Sequence, residues 1–211
     1  MIDLDPPARQ LKTLLHGIAD EQLSAATPCE SYTVADLLDH LVGLTMEFRD
    51  AATKSTRSRD GATEGPAQGP GKPSAANLPP DWRSLLPLQL DDLVTAWRDP
   101  AAWEGSTQAG GVTLPADVMG MVVLDELVLH GWDLARATGQ AFECDPVSTQ
   151  VCFEFTSMAS VPGREAAREG LFGPVVDVPS NAPLLHRALG LSGRDPSWKP
   201  RGAACREPRT A

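Results

Sequence analysis

The stretch that most constrains what this chain can fold into is PADVMGMVVLDELVLHGWDLARATG, Pro115 to Gly139. It predicts one helix of about seven turns. Pro115 suits a first helical position, Arg136 sits near the carbonyl end where a cation is favoured, and Gly139 can take the left-handed cap. At about 100° per residue, Met119, Val122, Val123, Glu126, His130, Asp133 and Ala137 share one face that is otherwise apolar. Glu126 and His130, four residues apart, then stack on adjacent turns of a core-facing stripe, close enough to hold one cation between them. A buried carboxylate without a partner is strongly unfavourable, so something must compensate it, and a metal ion is one group that fits. The same spacing also suits a direct Glu–His hydrogen bond or a water-filled notch between helices. A third ligand elsewhere in the chain is what separates these readings.

Such a helix needs partners, and composition says what kind. The chain has 211 residues and 42% hydrophobic content, enough for a real core in one domain. Aromatics are only 5% and strand-forming runs are scarce, so the partners are expected to be helices in an all-α fold. A formal net charge of −10 with no basic stripe argues against nucleic acid as a partner. The opening MIDLDPPARQ has no charged-then-apolar signal pattern, and no apolar run approaches the roughly eighteen residues a bilayer span requires. No membrane partner and a cytoplasmic location are therefore expected, while homodimer formation stays open. Cys29, Cys144, Cys152 and Cys205 form no C-x-x-C pair, and reduced structural thiols are the default reading. Cys29 precedes a helix start, where a thiolate would be stabilised, and keeps open the alternative of a reactive thiol.

Taken in order, Asp5 and Pro6 open a first helix carrying Leu11, Leu14, Leu15 and Ile18, expected to run to about Leu23. His16 beside that stripe reads as a surface histidine. Thr33 and Asp36 form a capping-box start for a second helix through about Ala52, with Val34, Leu37, Leu38, Leu41, Val42, Thr45 and Phe48 inward. His40 sits at the rim of this stripe, and Asp36, one turn behind, could orient its other ring nitrogen; an exposed His40 paired with Asp36 is the plainer alternative. Residues 52–81 are rich in Gly, Pro and Ser and read as a long flexible crossover. Leu86, Leu90, Leu93, Val94 and Trp97 give a third helix, with Pro87 in its first turn. Pro100 to Leu114 reads as a glycine-containing loop with room for a short hairpin, and no phosphate-binding glycine motif follows a strand anywhere. After the Pro115–Gly139 helix, Asp145 and Pro146 open a fifth helix and Pro183 to Leu191 makes a last short one. The expected layout is thus a bundle over 1–140, a C-terminal helical extension over 141–191, and a disordered tail over 192–211 that lacks periodicity.

TPCESYTVADLLDHLVG, followed much later by LVLHGWDLARATGQ and FGPVVDVPSNAPLLHRALGLSGRDP, resembles the mycothiol-dependent maleylpyruvate isomerase family and its relatives in the DinB-like superfamily, in particular a short metal-binding subgroup. The resemblance covers most of the chain. It implies an all-α, DinB-like four-helix bundle with a long crossover and short C-terminal helices. It also implies a divalent metal, typically zinc, on one histidine of the helix after the T-P-C motif and on a Glu and a His four apart on the fourth helix. Those positions are His40, Glu126 and His130 here. Asp133 matches the subgroup pattern and is the candidate for supporting His130 from behind; a salt bridge to Arg136 is its alternative role. No counterpart of the isomerase's separate C-terminal domain is expected.

Three protein ligands leave a coordination position open, the arrangement of catalytic rather than structural zinc, although nickel, iron or cobalt suit the same donors. The expected function is a thiol-dependent S-transferase or isomerase in which the metal activates an external thiol, mycothiol by resemblance, against an electrophilic small molecule. A metal-dependent hydrolase, with Asp36 or Glu47 as base, and a non-catalytic metal or small-molecule binder are the alternatives.

Overall fold

The structure is a computed structural model that describes residues 1–30, 32–55, 72–161, 163, 168 and 170–200. Among the described residues six α-helices stand out: α1 (Asp5–His16), α2 (Val34–Ala52), α3 (Trp82–Trp97), α4 (Ala116–Thr138), α5 (Pro146–Ala159) and α6 (Leu184–Leu191). α1 packs against α3 and α4, and α2 packs against the same two, which closes a four-helix bundle. α5 lies outside on α4, and α6 lies on α5. This is the all-α, DinB-like architecture expected.

The four bundle helices each contribute a stripe of leucine, valine or alanine to one core, in which Leu11, Leu37, Leu41, Leu86, Leu90 and Leu124 are fully buried. α4 is the central member and is covered on nearly every side, because α5 packs on the face that the bundle leaves open. Its C-terminus is closed by Gly139 in the left-handed conformation. Between α3 and α4 stands the hairpin the loop had room for, β1 (Ser106–Ala109) antiparallel to β2 (Val112–Pro115). Gly110 and Gly111 turn it, both at positive φ, the backbone that a tight two-residue turn demands. Glu47 on α2 accepts a hydrogen bond from Gly110 N at 2.9 Å, and Thr107 Oγ1 donates to Ala51 O at 2.5 Å, so the hairpin is fastened to α2.

Three expectations about the fold need correction. α1 ends at His16, not near Leu23, and a short 3₁₀ turn, Asp20–Gln22, follows. The cause is distant in sequence: Gln140 Nε2 donates to Leu14 O at 3.1 Å, and its side chain lies so close to Gly17 that a Cβ there would sit 2.1 Å from Gln140 Oε1. Second, α3 starts at Trp82, one turn earlier than Pro87 suggested, so Pro87 lies inside the helix. Third, the tail does not begin at 192. Ser192 and Arg194 are 2% and 9% exposed, and Trp198 O accepts from Arg136 Nε at 3.2 Å. The remainder of the tail, 201–211, and the middle of the crossover, 56–71, lie outside the described residues. The described end of the crossover is pinned to α2, with Ser74 N donating to Asp39 Oδ2 at 3.0 Å and Ala75 N to Asp36 Oδ1 at 2.6 Å. Among the described residues, no helix is long and apolar enough to cross a membrane.

Candidate metal centre

His40 on α2 and Glu126 and His130 on α4 meet where these two helices face each other in the bundle. One ligand-capable atom from each of the three lies within 4.8 Å of the others. Glu126 Oε2 is 2.9 Å from His130 Nε2 and 3.7 Å from His40 Nε2, and the two imidazole rings stand edge to face with centroids 5.0 Å apart. His130 is almost fully enclosed, whereas the His40 and Glu126 side chains keep 24% and 18% of their exposure, so the cluster opens to solvent on one side. The helical spacing explains the pair on α4: residues four apart project from adjacent turns of one face. Thr33 caps the start of α2, and His40 lies about two turns into that helix.

Glu126 Oε2 is buried and makes no hydrogen bond, despite the 2.9 Å approach of His130 Nε2. The other side of the His130 ring is fixed as well. Its Nδ1 lies 3.0 Å from Asp133 Oδ2, and a carboxylate there makes Nδ1 the donor, which leaves Nε2 with a lone pair in the neutral ring. Two acceptors then face one another, an arrangement that calls for a cation or a proton between them. Without a cation, a charged His130 meets Glu126 there as an ion pair and not as an aligned hydrogen bond. Burial works against a charged His130, but the neighbouring Glu126 charge and the Asp133 hydrogen bond outweigh it and raise the imidazole to about 9. Burial likewise pushes Glu126 up, and the two histidines overcome it and hold the carboxyl well below the usual range. A carboxylate oxygen that is itself the unmet buried acceptor, together with two imidazole nitrogens, fits a divalent cation of borderline hardness.

Asp133 is fully buried, with its Oδ2 3.0 Å from His130 Nδ1, and its counter-ion is not Arg136. Arg194, from the segment after α6, donates from Nε to Oδ1 at 2.9 Å and from Nη2 to Oδ2 at 2.7 Å. Arg136 instead donates to Trp198 O. Asp36 requires a second correction. Its Oδ2 accepts from Thr33 N at 2.8 Å and Thr33 Oγ1 at 2.6 Å, and its Oδ1 from Ala75 N, so it caps α2 and does not orient His40. An N3 carboxylate leans back toward the helix start, away from a residue one turn on. What covers His40 is Tyr32, its ring centroid 5.7 Å away. The Tyr32 hydroxyl is pushed up by burial and then by the charges of Cys29, Glu126 and Asp36, so it stays protonated at neutral pH.

Sequence reasoning missed Arg194, Tyr32 and Asp125. Asp125 sits beside Glu126 but faces α5, where Cys152 Sγ donates to its Oδ1 at 3.1 Å; burial raises this carboxyl to about 8. Burial also raises Cys144 to about 11 and Cys152 well above its ordinary value. Cys29 lies within electrostatic reach of Tyr32 and Arg194. His16 is on the surface, its Nδ1 2.7 Å from Lys12 O, and Cys205 lies outside the described residues.

The all-α four-helix bundle is a DinB-like fold. The chain belongs to the mycothiol maleylpyruvate isomerase N-terminal domain family, which matches residues 4–135. Two proteins of Mycobacterium tuberculosis, from strains CDC 1551 / Oshkosh and ATCC 25618 / H37Rv and both named only as uncharacterized, are 29% identical to it over 144 residues. The alignment covers 63% of this chain and 64% of each relative, so the chain spans less than two thirds of their length. No solved structure matches it.

Proposed function

We propose that this chain binds one divalent ion, zinc by donor chemistry, through His40, Glu126 and His130, and uses it in a thiol-dependent S-transfer or isomerisation with a low-molecular-weight thiol of the mycothiol type. The observation that carries the metal reading is the buried, unbonded Glu126 Oε2 between two ring nitrogens. Family membership supports the thiol.

When bound, such an ion supplies Lewis acidity that favours thiolate over thiol near neutral pH, leaving a nucleophile for an electrophilic carbon. The chain's own residues do the rest. His40 and Glu126 bind from opposite helices on the solvent-facing side, where a small molecule has access. Asp133 holds the His130 proton on Nδ1 and so keeps the Nε2 lone pair directed into the cluster. Tyr32 walls one side of His40 with a protonated hydroxyl. Cys144 and Cys152 are not thiolates at neutral pH, which favours a nucleophile from outside. The hydrolase alternative loses support, because both carboxylates considered as its base are engaged: Asp36 in the α2 cap and Glu47 on Gly110 N.

The test incubates purified, zinc-loaded protein with mycothiol and a panel of electrophiles. Metal-dependent loss of thiol is expected, and it should persist when Cys29, Cys144, Cys152 and Cys205 are all replaced. Loss of turnover in Cys29→Ser, with zinc retained, would put a protein thiolate in place of the external one. No thiol consumption under any metal condition would leave a metal or small-molecule binding protein.

A further inference from the structure

Behind the His130 ring stands a buried chain of contacts that leaves the bundle altogether. Asp133 Oδ2 receives two donors, His130 Nδ1 at 3.0 Å and Arg194 Nη2 at 2.7 Å, while Oδ1 receives Arg194 Nε at 2.9 Å. Arg194 is in turn fixed: Nη1 donates to Ser192 Oγ at 3.2 Å, and its backbone N donates to Leu189 O at 2.8 Å at the end of α6. One turn further along α4, Arg136 holds Trp198 O. The segment Ser192–Trp198 is therefore clasped to α4 at two points, one of them directly behind a candidate ligand. It lies beyond the part of the chain that the family match covers.

A carboxylate bonded to an imidazole by one oxygen can still turn about its own axis and carry the ring with it. A guanidinium fork on both oxygens fixes the plane of that carboxylate. We propose that Arg194 is a positioning residue for the metal centre, locking Asp133 and hence the His130 ring, so that seating of the Ser192–Trp198 segment and metal binding strengthen each other. The inference rests on the metal reading above and adds the C-terminal segment to the site.

Arg194→Lys separates positioning from charge compensation, because it keeps a buried cation and loses the fork. Zinc affinity is measured for the full chain by competition with a chromophoric chelator, beside thermal unfolding of the metal-free proteins. Arg194→Lys should bind zinc about tenfold more weakly with little change in unfolding temperature, and Arg194→Met, if it folds, within the 10- to 100-fold range usual for groups that orient a ligand. The coupling is reciprocal, so zinc should slow amide hydrogen exchange across 192–198 in the wild type, including the Arg194 N–H, and should do so less in Arg194→Lys. Equal zinc affinity in wild type and Arg194→Lys, with exchange at 192–198 indifferent to zinc, would overturn the inference and leave the metal reading intact. A wild-type chain that binds no zinc would instead remove the metal reading and this inference with it.

Discussion

Glu126, with one buried oxygen, and the fully buried Asp133 are carboxylates on the same helix, two turns apart, and they are treated in opposite ways. Both oxygens of Asp133 are filled, by a guanidinium fork and an imidazole N–H. Glu126 has an oxygen with no hydrogen bond, facing two ring nitrogens. A fold that satisfies one buried carboxylate so completely has no general shortage of donors at this depth. The unmet acceptor next door is thus a place for a ligand, and the saturated carboxylate is its support. Their partners differ in a second way: His130 can shed its charge, whereas Arg194 cannot.

The largest effect should come from breaking the saturated side. Asp133→Ala leaves Arg194 charged, buried and unpaired, and should cost about 3–5 kcal/mol in denaturant unfolding of the metal-free protein. A loss under about 1 kcal/mol would mean that the fork contributes little. Glu126→Gln should cost about 1 kcal/mol or less in the same assay at neutral pH, since His130 can become neutral and accept from the new amide. It should nevertheless abolish high-affinity metal binding. Equal stability losses in the two variants would erase the contrast between the two carboxylates.

A pH titration sharpens the same contrast. His130 is raised from an ordinary 6.5 to about 9, so its pairing with Glu126 contributes fully below about pH 6.5 and is lost as pH rises through about 9. Metal-free wild-type protein should therefore lose stability across that interval, and Glu126→Gln should lose much less. Identical slopes would show that Glu126 does not hold the proton on His130. The smallest effect belongs to the far side of α4. Cys152→Ala removes a buried thiol that donates to an already neutral Asp125, and should cost about 1–2 kcal/mol with metal content unchanged. Loss of metal in that variant would tie Asp125 to the site.

How much of this was legible in the sequence depended on whether a residue broke a pattern. Glu126 and His130 interrupt an apolar stripe, so periodicity alone singles them out as residues needing a partner. Thr33 and Asp36 stand in a local capping signature, and the same signature explains why Asp36 is unavailable to His40: the helix start takes its carboxylate first. Arg194 had no pattern to break. Its segment is aperiodic, and a lone arginine there looks like any solvated one until the fold brings it to Asp133, 61 residues away in sequence. The end of α1 was hidden for the same reason, being set by Gln140, 126 residues from Leu14. Local chemistry is readable in order along the chain, and partnerships across the bundle are not.

The central claim is that the unmet oxygen of Glu126 marks a cation site built by three residues from two helices. Elemental analysis of the purified full chain tests it most directly, on the wild type and on His40→Ala, Glu126→Ala and His130→Ala. About one divalent ion per wild-type chain and its loss in all three variants is the predicted result. A wild type without a bound ion after zinc loading, or full occupancy in all three variants, would contradict it.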